Sequence, residues 1–188
     1  MQYALVTGAA KGIGKAIAEE LAKRNYDLLL VDFDEKNLTK TENEFNTRFQ
    51  RNVHTLHLDL TQPDAIDILW FWTQPFHKGL NVIVNNAGYG LNGAFENISI
   101  DEHINLIDLN IKAQLKIVHS FIPVLKQFPK SYLLNLGSTT SYQSVPYLSV
   151  YAASKAFVLS FTRSLRRELR HSTISVSCLS PAVQIRIL

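Results

Sequence analysis

The 188-residue sequence has very little cysteine, no strong excess of charge and no long apolar run. Its only cysteine, Cys178, excludes an internal disulfide framework and fits a reducing compartment. Apolar runs such as residues 28–31 are far too short to span a bilayer, and no signal-peptide pattern precedes the apolar run at Tyr3. A net charge of +3 is too small to indicate binding to nucleic acid or to an anionic membrane. We therefore expect a cytoplasmic protein without membrane or nucleic-acid partners.

Metal-ligand patterns and repeats are also missing. The six histidines show no paired spacing typical of a metal site and Cys178 stands alone, so no metal site is expected. No internal repeat, low-complexity segment or linker divides the chain. Its length and its 46% hydrophobic content are those of one ordinary globular domain, which we expect to span residues 1–188.

Short apolar runs alternate with amphipathic segments along the whole chain. The apolar runs predict strands at residues 4–7, 27–31, 53–58, 82–85, 132–136 and 174–179. The amphipathic segments predict helices at residues 13–24, 36–50, 65–76, 100–126 and 150–170. Strands that are apolar on successive residues and separated by helices indicate a parallel sheet covered on both faces. We predict an α/β fold, a three-layer, doubly wound, Rossmann-like sheet with strand order 3-2-1-4-5-6.

A glycine-rich turn, Thr7-Gly8-Ala9-Ala10-Lys11-Gly12-Ile13-Gly14, connects the first predicted strand to the first predicted helix. Glycine lets the backbone approach a pyrophosphate closely, and a helix N-terminus offers free N–H groups and a positive dipole end. A glycine string alone is weak evidence, and its simplest alternative is a bare strand-to-helix turn. The strand–turn–helix context is, however, the one that a dinucleotide site requires. The cofactor-binding residues predicted here are Gly8, Lys11, Gly12, Ile13 and Gly14.

An acidic residue, Asp32, stands at the end of the second predicted strand, about twenty residues beyond the glycines. A carboxylate there can accept hydrogen bonds from both ribose hydroxyls of NAD and repels the 2′-phosphate of NADP. Lys11 favours the opposite preference, because its cation can meet that phosphate. Since Phe33 rather than an arginine follows Asp32, we expect NAD(H) to be favoured, with NADP(H) as the alternative.

The motifs of the nucleotide half resemble those of the short-chain dehydrogenase/reductase family. The resemblance is carried by Thr-Gly-x-x-x-Gly-Ile-Gly at residues 7–14, Leu58-Asp59-Leu60 after the third strand, and Asn85-Asn86-Ala87-Gly88 after the fourth. It implies that Asp59 and Leu60 flank the adenine of the cofactor. It also implies that Asn86, Ala87 and Gly88 shape the floor beside the adenosine ribose. In isolation Asn-Asn-Ala-Gly is typical of a simple turn after a strand.

Tyr151 and Lys155 lie four residues apart in a predicted helix and therefore on one face of it. Tyrosine alone holds its proton too tightly for efficient transfer near neutral pH. A lysine cation nearby, together with the positive charge of an oxidised nicotinamide, stabilises a phenolate and makes that transfer possible. Lys155 can also reach the nicotinamide ribose. Because the pattern Tyr-x-x-x-Lys often occurs by chance, the functional interpretation of the pair depends on the nucleotide motifs that precede it in the sequence.

The resemblance adds Ser138 and Asn110 to this pair. Ser138 follows the fifth predicted strand, where ligands bind in open α/β sheets, and the family places its catalytic serine at this interval before the tyrosine. Other hydroxyl residues follow it, so an ordinary loop role is the alternative.

In the family an asparagine placed like Asn110 bends its helix and exposes a main-chain carbonyl that holds a water linked to the active lysine. The alternative is an asparagine that caps its own backbone. The resemblance thus implies a catalytic tetrad of Asn110, Ser138, Tyr151 and Lys155.

These residues together predict an oxidoreductase that transfers a hydride between NAD(P) and the alcohol or carbonyl group of a small substrate. Tyr151 would be the general acid in reduction and the general base in oxidation, while the cofactor carries the hydride. Loop residues that should border the substrate suggest an apolar or aromatic carbonyl compound, with core packing as an equal alternative: Tyr89, Leu91, Phe95, Tyr142, Val145, Pro146, Tyr147 and Leu148. The competing hypothesis is a truncated, non-catalytic NAD(P)-binding protein of the same fold.

The resemblance is incomplete at the end of the sequence. Members of the family usually continue well past the sixth strand, with Pro-Gly and then a small hydroxyl residue that contacts the nicotinamide carboxamide. Here Pro181, which we expect beside the cofactor, is followed by Ala182 and by no serine or threonine. We therefore expect a domain without the usual C-terminal substrate lid and seventh strand, in which the sixth strand is an uncovered edge. This feature favours the non-catalytic hypothesis.

The predicted helices at residues 100–126 and 150–170 match those through which family members commonly form a four-helix interface. The second carries Ala156, Phe157, Val158, Leu159 and Phe161, which cover more of the helix circumference than one core-facing stripe needs. The resemblance therefore implies a homodimer through these two helices.

Overall fold

A six-stranded parallel sheet forms the centre of the computed structural model, which describes residues 2–182. The strands are β1 (Tyr3–Thr7), β2 (Asp27–Asp32), β3 (Val53–His57), β4 (Leu80–Asn85), β5 (Ser131–Leu136) and β6 (Ile174–Leu179). The helices are α1 (Gly12–Lys23), α2 (Glu35–Phe49), α3 (Ala65–Thr73), α4 (Ile100–Ile107), α5 (Gln114–Leu125) and α6 (Ser149–Glu168). Within residues 2–182 no helix is long and apolar enough to cross a membrane.

The strand order is β3-β2-β1-β4-β5-β6, and every neighbouring pair is parallel. This order confirms the predicted doubly wound α/β fold. The chain moves outward from β1 to β3, then returns to the other side of β1 and continues outward to β6. Loops from the carboxyl ends of β1 and β4 therefore leave in opposite directions, which opens a crevice between them.

Successive apolar side chains of the central strands point alternately to the two faces of the sheet, and both faces are buried. On β1, Ala4 and Val6 join one buried cluster, which includes Phe45 from α2. Leu5 joins the cluster on the opposite face, which includes Phe121 from α5. Because successive strand side chains point to opposite faces, a strand that is apolar at every position needs helices on both sides. The α1/α2 pair covers one face, and α3, α5 and α6 cover the other.

Two of the predicted helices differ from the structure in their internal geometry. The segment predicted as one helix over residues 100–126 is α4, a π-helical segment at Asp108–Ala113, and α5. The segment predicted as a helix over residues 65–76 leaves α-helical geometry after Thr73 and continues as a 3-10 helix at Gln74–Phe76. Pro75 explains the second change, because it lacks an N–H for the next helical hydrogen bond. The first change places Asn110 within the site described below.

The strand β6 lies at one edge of the sheet among residues 2–182, with β5 as its neighbour there. The expected lack of a hydroxyl contact after Ala182 concerns residues 183–188, which lie outside the described residues. The expected absence of a lid and of a seventh strand stays a prediction.

Candidate active site

A cavity of about 500 Å³ lies where the crevice between β1 and β4 was expected. Its wall contains every residue predicted to bind the cofactor except Gly14: Gly8, Lys11, Gly12, Ile13, Asp32, Asp59, Leu60, Asn86, Ala87, Gly88, Tyr151, Lys155 and Pro181. The fold thus brings six separate stretches of sequence to one space.

Seven further wall residues were not predicted to bind the cofactor, although Tyr89 was expected at the substrate site: Val31, Phe33, Leu58, Tyr89, Leu109, Leu136 and Gly137. Most of them end a strand or lie next to a predicted residue, so their position at the carboxyl edge of the sheet was the signal that could have found them. Leu109 gave no such signal. It reaches the cavity from the π-helical segment, whose altered winding cannot be read from apolar periodicity.

The glycine turn leaves no room for side chains where it meets the rest of the wall. Gly8 has a left-handed backbone (φ +66°), and a Cβ on it would lie 2.7 Å from Asn86 Nδ2. A Cβ on Gly14 would lie 2.0 Å from the carbonyl oxygen of Gly8. Lys11 precedes α1 without a side-chain cap, and no acidic residue stands in the first turn of that helix. The N–H groups of the first turn of α1 thus have no capping side chain and remain available to an anion such as a pyrophosphate.

Asn86 joins the loops that follow β1 and β4. Its Nδ2 donates hydrogen bonds to the carbonyl oxygens of Thr7 (2.9 Å) and Gly8 (2.8 Å). In return, Thr7 Oγ1 accepts hydrogen bonds from the N–H groups of Asn86 and Ala87, both at 3.1 Å. The Asn-Asn-Ala-Gly stretch is therefore a tie across the crevice, and the alternative of a simple turn does not describe it.

Asp32 is buried, and both of its carboxylate oxygens are held by backbone donors. Ala10 N–H donates to Oδ2 (2.9 Å) and Asp34 N–H donates to Oδ1 (3.0 Å). The carboxylate thus braces the glycine turn while lining the cavity. Lys11, the competing cation, forms an ion pair with Asp34 at 3.3 Å and is otherwise largely exposed. The hydrogen bonds from Asn37 and the contact with Lys11 lower the pKa of the Asp34 carboxyl, so the partner of Lys11 is charged.

Asp59 supplies a second fixed carboxylate to the wall. Burial alone would raise its pKa, but hydrogen bonds from the Thr61 N–H, the Thr61 hydroxyl and the Gln62 amide outweigh burial and lower the pKa. The side chain is therefore held as an anion in one orientation.

Tyr151 and Lys155 project into the cavity from the first turns of α6. Burial lowers the pKa of the Lys155 ammonium from 10.5 to about 8, against an opposing effect of Cys178. Lys155 Nζ donates a hydrogen bond to the Leu136 carbonyl (2.8 Å) and lies 5.9 Å from the centre of the Tyr151 ring. The backbone of Gly90 also lies close to the Tyr151 ring, since a Cβ on Gly90 would be 3.2 Å from two of the ring carbons. The phenol and the ammonium thus share one space.

Ser138 lies just after β5, next to the wall residue Gly137, but its own side chain is buried and is not part of the wall. Its Oγ accepts a hydrogen bond from Thr140 N–H (3.2 Å), which leaves the hydroxyl proton free to donate. Its N–H donates to Ser141 Oγ (3.1 Å), and that hydroxyl donates to the Lys155 carbonyl (2.9 Å). The loop after β5 that contains Ser138 and Ser141 is thus attached to α6.

Asn110 is fully buried in the π-helical segment and bonds to other elements rather than to its own backbone. Its Oδ1 accepts from Tyr89 N–H (3.1 Å), and its Nδ2 donates to the Tyr89 carbonyl (3.0 Å) and to Ser154 Oγ (3.1 Å). Ser154 Oγ in turn donates to the Tyr151 carbonyl (2.7 Å). Asn110 therefore fixes the loop after β4 against α6, and the water-holding carbonyl stays a prediction.

Among the loop residues expected at the substrate site, Tyr89, Phe95, Tyr142 and Tyr147 are exposed, so core packing does not account for them. Tyr89 lines the cavity. Tyr142 lies instead beside Arg163, whose guanidinium is 5.8 Å from the centre of the ring. The set thus does not form one wall.

The sequence model of the short chain dehydrogenase family matches residues 2–184. The chain belongs to the short-chain dehydrogenase family. An uncharacterized oxidoreductase of Staphylococcus aureus strain MW2 is 31% identical over 182 residues, covering 97% of this chain and 78% of that protein.

Solved structures of other short-chain dehydrogenases have the same fold. One from Sphingobium yanoikuyae, in complex with NADPH, superposes with a TM-score of 0.91 at 30% identity, over 97% of this chain and 71% of that chain. One from Burkholderia phymatum, in complex with NAD, superposes with a TM-score of 0.90 at 27% identity, over 96% of this chain and 65% of that chain. This short-chain dehydrogenase is therefore an oxidoreductase of the Rossmann type with a nucleotide-binding site.

Replacement of Gly14 by alanine should weaken dinucleotide binding in this short-chain dehydrogenase. The added Cβ would collide with the Gly8 carbonyl at 2.0 Å, so the glycine turn must open. We expect the dissociation constant for NADH, measured by fluorescence titration, to rise about tenfold or more, which is about 1.4 kcal/mol or more.

The matched control is Gly93→Ala, whose Cβ would meet only the flexible side chain of Ile98 at 3.3 Å. Gly93 lies outside the cavity wall. Equal affinities in the Gly14→Ala variant and the wild type would contradict the close approach of the turn to an anion.

Proposed function

We propose that this short-chain dehydrogenase transfers a hydride between NAD(P) and the alcohol or carbonyl group of a small substrate, with Tyr151 as the proton donor and acceptor. The observation that carries the proposal is the common wall shared by the glycine turn and the Tyr151–Lys155 pair. A nucleotide site alone would need no phenol beside a buried ammonium.

The residues of the cavity fit a dinucleotide along its length. The N–H groups at the start of α1 would hold the pyrophosphate, and Asp32 would accept hydrogen bonds from the adenosine ribose. Leu60 and Asp59 would flank the adenine, while Lys155 would bind the ribose of the nicotinamide. When bound, the nicotinamide supplies or accepts the hydride.

The protein supplies the proton and the orientation of the substrate. In reduction, the Tyr151 hydroxyl would donate its proton to the oxygen of the substrate carbonyl as the hydride reaches the carbon. The Lys155 ammonium would stabilise the phenolate that remains, and its hydrogen bond to Leu136 holds it in place. Ser138 would donate a hydrogen bond to the same substrate oxygen, because its Oγ proton is free. Oxidation of an alcohol would use these steps in reverse.

We propose NAD(H) as the preferred cofactor, with NADP(H) as the alternative. The buried Asp32 carboxylate is held by two backbone donors and cannot turn away from a 2′-phosphate. Lys11 could attract that phosphate, but its charge is shared with Asp34. A fixed anion and a neutralised cation together disfavour the phosphate.

We also propose a homodimer through α4, the π-helical segment, α5 and α6. Ile100 and Ile104 of α4 are 65% and 44% exposed, and Phe157 of α6 is 37% exposed. Because α4 and α6 pack against one another, these apolar side chains belong to neighbouring surfaces. A second copy would bury them together.

Replacement of Tyr151 by phenylalanine should abolish turnover and leave dinucleotide affinity within about threefold, since such acid/base groups contribute about 10²–10⁴-fold to rate while ring packing is kept. Turnover would be measured by NADH and NADPH oxidation over a panel of ketones and aldehydes. Retention of more than about a tenth of the wild-type rate would exclude Tyr151 as the acid/base. Wild-type binding without turnover on any carbonyl compound would support the non-catalytic alternative.

Replacement of Asp32 should narrow the preference for NAD over NADP. Asp32→Ala removes the charge and both backbone hydrogen bonds, whereas Asp32→Asn removes the charge and keeps an acceptor for Ala10 N–H. We expect the ratio of kcat/KM for NAD to that for NADP to fall by about tenfold in both variants, as loss of one charge repulsion and one hydroxyl contact predicts. An unchanged ratio in Asp32→Asn, together with a changed ratio in Lys11→Ala, would assign the preference to Lys11.

A glutamate at position 157 should disrupt the dimer. The charge would be buried without a partner in the interface, which destabilises association. Sedimentation velocity would show a dimeric wild type and a monomeric Phe157→Glu variant. The matched control is Phe71→Glu on α3, which changes an even more exposed ring, at 68% exposure, on another surface. A monomeric wild type, or dissociation by both variants, would rule out this interface.

A further inference from the structure

A chain of buried side-chain hydrogen bonds crosses the sheet and ends on α6. Asn85 of β4 donates from Nδ2 to Asn135 Oδ1 (2.9 Å), and Asn135 of β5 donates from Nδ2 to Thr162 Oγ1 (3.0 Å). Thr162 then donates to the carbonyl of Val158, one turn earlier in α6 (2.6 Å). Asn85 and Asn135 are 0% exposed and Thr162 is 2% exposed.

This chain adds directional contacts to the apolar packing between the sheet and α6. Leaving one of these buried groups without its partner would destabilise the arrangement, because the group has already lost its hydrogen bonds to water. Hydrogen bonds are also directional, so the bonds that join Asn85, Asn135 and Thr162 favour one arrangement of β4, β5 and α6, although Asn85 Oδ1 has no partner among residues 2–182. Apolar contacts alone would allow α6 to shift along β5 at lower cost.

The same face of α6 carries the proposed proton-transfer groups. Tyr151, Lys155, Val158 and Thr162 follow one another at spacings of three or four residues, which places them along one stripe of the helix. Lys155 Nζ donates to the carbonyl of Leu136, the strand residue that follows Asn135. Two successive residues of β5 thus hold α6 at two points, one of them a catalytic side chain.

The other end of the chain meets the cofactor site. Asn85 directly precedes Asn86, whose amide holds the carbonyls of Thr7 and Gly8 in the glycine turn. Asn85, the last residue of β4, and Asn86, the next residue, therefore connect α6 on one side to the glycine turn on the other.

We propose that Asn85, Asn135 and Thr162 are positioning residues. They fix the position of α6 along the direction of β5 and so place Tyr151 and Lys155 relative to the glycine turn. This role rests on the proposed function, since it concerns the groups that would move the proton. It predicts that loss of the chain impairs proton transfer in a protein that still folds and still binds the dinucleotide.

The variant Thr162→Val tests the proposal, because valine keeps the shape of threonine and leaves Asn135 Nδ2 without its acceptor. Thr162→Ser keeps the hydroxyl and should restore wild-type behaviour. The matched control is Thr73→Val in α3, since Thr73 is also fully buried and donates to a carbonyl four residues earlier. Its hydroxyl has no part in the chain to α6. If Thr162→Val fails to fold, Thr162→Cys replaces it, because a thiol of similar size bonds only weakly.

The first measurement separates positioning from stability. We expect kcat of Thr162→Val to fall about tenfold or more, since small misplacements of reacting groups have effects up to about 10²-fold. Its pH profile should shift, while the NADH dissociation constant stays within about threefold of the wild-type value. Thr73→Val should lose stability and keep both kcat and the profile. A wild-type kcat and profile in Thr162→Val, or equal losses of kcat in both valine variants, would overturn the proposal.

The second measurement needs no turnover. Competitive labelling with acetic anhydride, followed by mass spectrometry, gives the pH midpoint at which Lys155 becomes reactive. Burial sets this midpoint near the Lys155 pKa of about 8 in the wild type. A displaced α6 would expose the ammonium, so the midpoint in Thr162→Val should rise by about half a unit or more. An unchanged midpoint in the folded variant would overturn the proposal. A wild type that binds NADH without turnover would contradict the proposed function alone, because the labelling result would still decide the role of Thr162.

Discussion

The amide of Asn86 holds together the two loops that diverge where the strand order reverses. It donates to the carbonyls of Thr7 and Gly8, and Thr7 Oγ1 accepts hydrogen bonds from the N–H groups of Asn86 and Ala87. A crevice at the reversal of a doubly wound sheet is inherent in the topology. The topology does not determine the width of the crevice, which the hydrogen bonds of Asn86 restrict. The same amide limits the space beside the glycine turn, since a Cβ on Gly8 or on Gly14 would lie 2.7 or 2.4 Å from Asn86 Nδ2.

The cavity wall carries fixed charges of both signs. Asp32 and Asp59 are carboxylates held by hydrogen bonds. Lys155 is a buried ammonium, whose pKa burial lowers to about 8. A cation close to its own ionisation point is easily influenced by neighbouring groups. The positive charge of an oxidised nicotinamide and the phenol of Tyr151 would be two such groups.

The α6 helix is held by polar contacts as well as by apolar packing. Ser154 binds Asn110, the main chain at Lys155 accepts from Ser141, and Thr162 accepts from Asn135. Each contact comes from a different element: the π-helical segment, the loop after β5, and β5 itself. A helix held at three levels has little freedom to slide, which suits residues whose function depends on distance.

The sequence by itself determined the fold and the nucleotide half of the site. Continuous apolar strands require helices on both faces, and the glycine turn stands between a strand and a helix, which is the context that a dinucleotide site requires. These are local signals, so they could be read without coordinates. Tertiary structure alone decided how Asn110 and Ser138 are used and where Asn135 and Thr162 meet. Asn110 lies in an altered helical turn and bonds to residues distant in sequence. Ser138 is buried beside the wall, and its partner Ser141 bonds to Lys155 of α6. No periodicity records such pairs.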